Sequence, residues 1–257
     1  MHPPTARPKL RLFALALALA LCALGLGGCG GGAPLLHPAH VLSPGKVTLG
    51  AGLSGRPVLA ALPSAPGTEE ALAESILQDR TVAPAVAPWV GGRVGIAGAN
   101  EAGLTYSGRA VRLDGRHAFA LSKSVALSMG LGGELILSGR PSEGKDAGSL
   151  LGGGLDVPLL IGWKSTGELY SGWIGPRAGV SWVRGTYPSA DLDKPTTLTG
   201  EHVRVGMVAG LRLGFRHVHV AVEIGGDWHA VSGRLGATDV SFNQFSLTPA
   251  GALILGF

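Results

Sequence analysis

Histidines and opposed charges carry the reactive chemistry of this chain, and many of them crowd residues 202–229. Neutral imidazole is a common metal ligand, and a metal site needs several ligands converging on one point. His202, His217, His219 and His229 are the obvious set. If Arg216-His217 is a two-residue turn between strands, His217 and His219 lie beside it and His202 and His229 lie near the far end. They cannot then share one ion, so neither a metal nor another cofactor is expected. The same register sets Arg204 opposite His229 with Asp227 on the diagonal, and Arg212 opposite Ala221 with Glu223 on the diagonal. Diagonal neighbours are within reach of long side chains. Arg204–Asp227 and Arg212–Glu223 are therefore expected as ion pairs bracing an interior. A gated ion path is the weaker reading, because isolated buried charge is so costly. "WHAVSG" sets His229 near Ser232, a base and a nucleophile by type. No acid is fixed to orient His229, so no catalytic residue is expected. The chain has no Gly-rich phosphate loop, no metal-protease motif and no basic aromatic patch, and nucleic acid is not expected as a partner.

The elements that would position these residues alternate with period two. In "VRVGMVAGLRLGF", Val203, Val205, Met207, Ala209, Leu211, Leu213 and Phe215 share one face, and Arg204, Gly206, Gly210, Arg212 and Gly214 the other. Such runs exceed the usual five or six residues of a globular strand and suit the roughly 9–11 that a tilted strand needs to cross a bilayer. Ten strands are read at 46–54, 89–98, 102–113, 117–122, 124–138, 151–164, 168–184, 201–215, 218–231 and 242–257, with eight as the alternative because the fourth is ill defined. Connections at 98–101, 123–124, 164–168 and 216–217 are short, and those at 55–88, 139–150, 185–200 and 232–241 are long. "DGR" (114–116) breaks that alternation, being a short turn where a long one belongs. Within the first long loop, "TEEALAESILQDR" predicts one short helix packed on the rim, with Thr68 as N-cap, Glu69 and Glu70 at the positive end of the dipole, and Leu72 and Ile76 as its apolar stripe.

Period two alone does not say which face meets water. Trp163, Tyr170, Phe215 and Phe257 fall at the short-turn end of the apolar face, and Trp182, Trp228 and Phe245 toward its long-loop end. Two aromatic girdles flanking an aliphatic band suit a bilayer, because amphipathic rings sit at headgroup level. Arg93, Glu134, Asp156, Arg177, Arg204, Arg212, Glu223 and Asp227 all take the opposite parity. Arg or Lys on a lipid face at mid-bilayer costs about 2–4 kcal/mol, so a lipid face must exclude them.

The N-terminus is patterned differently. Arg7, Lys9 and Arg11 precede an apolar run over Leu12–Leu24, the layout of a secretory signal. "LGGC" (Leu26-Gly27-Gly28-Cys29) resembles the lipobox of bacterial lipoproteins. That resemblance implies cleavage before Cys29, acylation of Cys29, and passage to the outer membrane, since Gly30 stands where an inner-membrane retention signal has Asp. Without residues 1–28 the chain has 18 basic and 17 acidic residues, a formal charge of +1. The basic balance therefore belongs to the signal. The domains expected are a lipoprotein signal peptide (1–28), a Gly/Pro-rich tether (29–45) and a β-barrel (46–257).

The chain as a whole resembles small bacterial outer-membrane β-barrel proteins. The resemblance rests on Phe257 as terminal aromatic, with Leu255, Leu253, Leu247 and Phe245 at alternating positions before it. It implies an all-β, antiparallel up-and-down transmembrane barrel, monomeric, bedded in outer-membrane lipid and delivered by the barrel-insertion machinery through Phe257. The lipid anchor and both barrel ends are expected on the periplasmic side. The expected role is structural, adhesive or that of a narrow pore. A soluble periplasmic lipoprotein barrel binding an apolar ligand is the alternative. An outer-membrane lipid-modifying enzyme comes third, since enzymes of this size occur among such barrels.

Overall fold

The computed structural model describes residues 30–139, 149–187 and 196–257. Residues 1–29, which hold the expected signal and Cys29, and residues 140–148 and 188–195 lie outside the described residues. Ten antiparallel strands close on themselves in sequence order, each pairing with the next. They are β1 (Val47–Gly55), β2 (Val86–Ile96), β3 (Asn100–Ser107), β4 (Ala110–Ala120), β5 (Val125–Gly139), β6 (Ser149–Lys164), β7 (Tyr170–Tyr187), β8 (Thr196–Phe215), β9 (Val218–Leu235) and β10 (Thr238–Gly256). Closure joins β1 to β10, with Leu49 opposite Leu255 and Ala51 opposite Leu253. Phe257 exchanges backbone hydrogen bonds with Val47 and seals the ring at the short-turn rim. The chain's final strand is thus the closing strand.

Two features of the sequence reading need correction. Residues 114–116 do not turn. β4 runs straight through them, and the hairpin before it is Gly108-Arg109, with Gly108 in the left-handed region (φ 69°). The charges at Arg112, Asp114 and Arg116 continue the alternation and face inward, so the apparent turn chemistry of "DGR" is lumen chemistry. The loop expected at 232–241 shrinks to Gly236-Ala237, because β9 and β10 extend upward to meet it. The wall is therefore uneven: β1–β4 are 8 to 11 residues long, and β5–β10 are 15 to 20. Above the end of β1, residues 57–59 continue the edge, pairing with β10 around Ser246.

The helix expected in the first long loop is present as α1 (Glu69–Thr81), and the Thr68 hydroxyl accepts from the Ala71 N–H. It sits inside the long-loop mouth. Ala73, Ile76 and Leu77 meet an apolar collar of Ile136, Leu150, Val183, Leu198, Val231 and Phe242 from the inner faces of β5–β10. Leu72, expected on the buried stripe, points to solvent. At the other end of α1, Arg109 donates to the carbonyls of Arg80 and Thr81, and Arg56 donates to that of Val82. Cations at the carbonyl end of a helix are favoured by its dipole. Leu77→Ala should leave a cavity under the helix, cost about 2–5 kcal/mol of docking, and open the loop to trypsin at Arg80; equal digestion of both proteins would refute this packing.

Candidate functional site

The outer wall carries a band of exposed aliphatic side chains, among them Leu131, Leu155, Val180, Val205, Val222 and Leu253. Trp163, Tyr170, Phe215 and Phe257 lie on this wall near the short-turn rim. Trp182, Trp228 and Phe245 lie on it higher up, Trp228 directly opposite Phe245. Above these three the same faces turn polar, with Arg184, Glu201, Ser232, Arg234, Asp239 and Ser241. Water does not stabilise such a band, whereas hydrocarbon does. The chain is a transmembrane β-barrel. Ser232 belongs to the outer polar zone while His229 is wholly buried inside, so the wall separates the two.

The interior is filled by charge and by chain. In the lower half, Arg93 pairs with Glu101 and Asp114, Arg112 with Asp114 and Asp156, and Arg116 with Glu101. Higher up, Arg177 grips Asp227 through two nitrogens, at 2.8 and 2.5 Å. The expected pairs Arg204–Asp227 and Arg212–Glu223 do not form. The register behind them is right, with Arg204 opposite His229 and Arg212 opposite Ala221. The partners come instead from two strands away. Arg177 of β7 stands opposite Gly206 of β8, which stands opposite Asp227 of β9. With no side chain on Gly206, the guanidinium passes over β8 to the carboxylate.

This arrangement recurs around the barrel. Arg93 reaches Asp114 over Gly103, and the Trp173 indole N–H reaches Glu223 over Gly210; Arg112, two residues along β4 from the Asp114 that faces Gly132, reaches Asp156 over that glycine on the diagonal. A Cβ on Gly132 would lie 2.5 Å from Arg112 Nε, and one on Gly210 would collide with the Trp173 ring. These lumen glycines are the saddles that the contacts cross.

Residues 30–45 do not hang free as a tether. They run through the lumen from the long-loop rim, where the Gly31 N–H donates to Ala83, to the short-turn rim, where that of Gly45 donates to Gly95. Leu35, Leu36 and Ala39 are buried against Trp89, Leu160, Trp173 and Ile254. Leu36 takes a left-handed conformation (φ 52°), and the N–H groups of Leu35 and Leu36 both point at the Glu223 carboxylate, at 2.8 and 2.9 Å. Successive N–H groups aimed at one carboxylate form an anion-binding concavity. Glu101 accepts from the Leu42 N–H, Arg177 donates to the Ala33 carbonyl, and Arg116 donates to the carbonyls of Pro38 and His40. Gly31 and Gly32 fit where a Cβ would strike Ala87 and Thr248. The composition that reads as a flexible linker is here the composition of a strand threaded through a tight channel.

The four histidines separate as their register requires. His217 is exposed at the short-turn rim and approaches the Gly256 carbonyl, and His219 faces a vestibule of about 270 Å³ there, beside Arg212 and Glu168. His202 and His229 meet directly, Nε2 to Nδ1 at 2.7 Å, with the Ser181 hydroxyl on the far side of one ring and that of Ser246 on the far side of the other. One shared proton and two hydroxyls satisfy all four ring nitrogens without a charge. Among the described residues, no three His, Cys, Asp or Glu side chains are placed to hold a metal ion.

No protein-family model matches the chain, and no curated protein matches it. Solved structures resemble it in their barrel. Neisserial surface protein A covers 82% of the chain and is itself covered to 96%, at 7% identity and a TM-score of 0.34. The translocator domain of the autotransporter NalP from Neisseria meningitidis is covered to 97% both ways, at 14% identity and a TM-score of 0.36. The attachment invasion locus protein Ail of Yersinia pestis covers 84% of the chain and is covered to 100%, at 11% identity and a TM-score of 0.30. At these identities the likeness concerns the barrel wall alone.

Alanine usually suits a strand better than glycine. Gly206→Ala should reverse that preference by breaking the Arg177–Asp227 contact, a loss of about 3–5 kcal/mol for a severed buried pair. Gly115→Ala, on the outer face with nothing within 4 Å, should be neutral or stabilising. Urea unfolding in detergent compares them, and equal midpoints would rule out the saddle.

Proposed function

We propose that this protein is a closed, non-conducting lipoprotein barrel of the bacterial outer membrane, with a structural or adhesive role at the cell surface and no enzymatic activity. One observation carries this reading: residues 30–42 occupy the lumen, and α1 stops its outer mouth. A narrow pore needs a continuous polar path. Here the path is taken by Leu35, Leu36 and Ala39, with their backbone held by Glu101, Arg116, Arg177 and Glu223. An apolar-ligand carrier needs an empty apolar interior, and this interior is filled. The polar zone above the upper girdle gives the surface role its contact area.

The direction of the thread supports a different place for a lipid on Cys29. A lipid on Cys29 was expected at the periplasmic rim. Gly30 lies against Ala83 at the opposite rim, where the long loops are. With the long loops facing outward, as in outer-membrane barrels generally, acylated Cys29 belongs at the outer face. The threaded segment must be in place before β1 meets β10, because the finished wall has no gap for an acylated chain end. Phe257, in the last strand to pair, suits recognition by the insertion machinery before that closure.

The intact protein should give no steady current in planar bilayers, and a variant lacking both residues 31–42 and α1 should conduct. Open-channel steps from the intact protein would sink the closed-barrel reading. An alkyne fatty acid should label the wild type and not Cys29→Ala. A protease-cleavable tag inserted between Cys29 and Gly30 should be cut on intact cells. Cleavage only after the outer membrane is breached would return the anchor to the periplasmic side.

A further inference from the structure

The lower lumen balances its charges, with Arg93, Arg112 and Arg116 interlocked with Glu101, Asp114 and Asp156. The upper lumen does not. Asp227 is taken by Arg177, and its second oxygen also accepts from Thr248. That leaves Arg204 of β8 and Arg56, just past β1, without an ion pair of their own; both only share the field of the Asp227 that Arg177 holds. Both are more than nine-tenths buried, at 7% and 6% exposed, and the Nε of each has no hydrogen-bond partner. Both line one cavity of about 40 Å³, between the thread at Gly31 and Ala33 and the wall at Ser181 and His202. Glu134, the acidic residue at its edge, forms no ion pair with either, and α1 offers Arg56 only the partial charge of a helix-end carbonyl.

We propose that this cavity is a binding site for one small inorganic anion, chloride or a tetrahedral oxyanion, held between the Arg204 and Arg56 guanidinium groups. Three buried cations around one carboxylate leave an excess of positive charge, which is costly, and a guanidinium presents its N–H groups in a fork suited to an oxyanion. The cavity exceeds the 10–15 Å³ or so that a single water requires and is too small for an organic acid of any length. The thread borders it at Gly31 and Ala33, and the end of α1 at Thr81. The site is independent of any role at the cell surface.

The test is to unfold the membrane-extracted protein in detergent after refolding it in chloride, sulfate or phosphate, with bulky gluconate as the reference at matched ionic strength. A ligand that binds only the folded state raises the midpoint in proportion to the logarithm of its concentration. That rise is expected for at least one of the three small anions, and which one identifies the occupant. Arg204→Met and Arg56→Gln should abolish the rise, and Arg204→Lys should keep part of it. If chloride gives the rise, bromide-grown crystals should show an anomalous peak between Arg56 and Arg204, and bromide found only on the outer surface would overturn the proposal. Midpoints insensitive to all three anions, or an undiminished rise in both charge-removing variants, would overturn it as well.

Discussion

Charge inside a barrel of ten strands has no retreat. Outside the wall is hydrocarbon, and inside there is too little water to solvate an ion, so a lumen charge is costly unless an opposite charge or several hydrogen bonds meet it. The rest of the architecture follows from that constraint. Arg177 spans β8 to reach Asp227, so Gly206 must lack a side chain. Glu223 has no arginine, so the Trp173 indole and the backbone of Leu35 and Leu36 supply its donors and the thread is fixed at that height. The thread in turn brings its own polar backbone into the lumen, and Arg116, Arg177 and Glu101 satisfy part of it. Wall and plug are thus a single hydrogen-bonded system.

The wall was largely legible in the sequence because its determinants are local. A period of two, a terminal aromatic and an inward parity for every mid-strand charge can be read along the chain without knowing what faces what. The register of β8 against β9 followed from a two-residue turn, and Arg204 does stand opposite His229. The partners of those charges were not legible. Their choice depends on the absence of a side chain one strand further round, and pairwise reasoning between neighbouring strands never looks there. A search for Arg and Asp in one row with Gly between them would have found Arg177–Gly206–Asp227, once the register of β7 was known.

The thread was misread for a different reason. Gly, Pro and Ala with no period describe both a solvated linker and a segment confined in a narrow channel, since small residues serve disorder in the first and clearance in the second. One signal did point inward. Leu35 and Leu36 are apolar residues that a linker has no use for, and so is Val41. The error at "DGR" is of the same kind. Asp and Gly are turn residues by statistics, but the parity of Arg112, Asp114 and Arg116 runs unbroken through them, and period outweighs composition when the two conflict.

The uneven wall ties these points together. β5–β10 rise well above the upper girdle, whereas β1–β4 stop lower, so the mouth is a tall curved screen open on one side. The inner face of that screen is apolar, which only a buried surface tolerates, and α1 covers it. Its C-terminal carbonyls then point at Arg56 and Arg109, and the chain after it, at Ala83, receives the Gly31 N–H. The helix therefore does more than stop the mouth: it seats cations at its negative end and holds the outer end of the thread. Loosening α1 would free both at once. Any opening of this barrel accordingly begins at the helix and not at the ion pairs below it, because those pairs lose their counter-charges if they separate, while the helix exchanges its contacts for water.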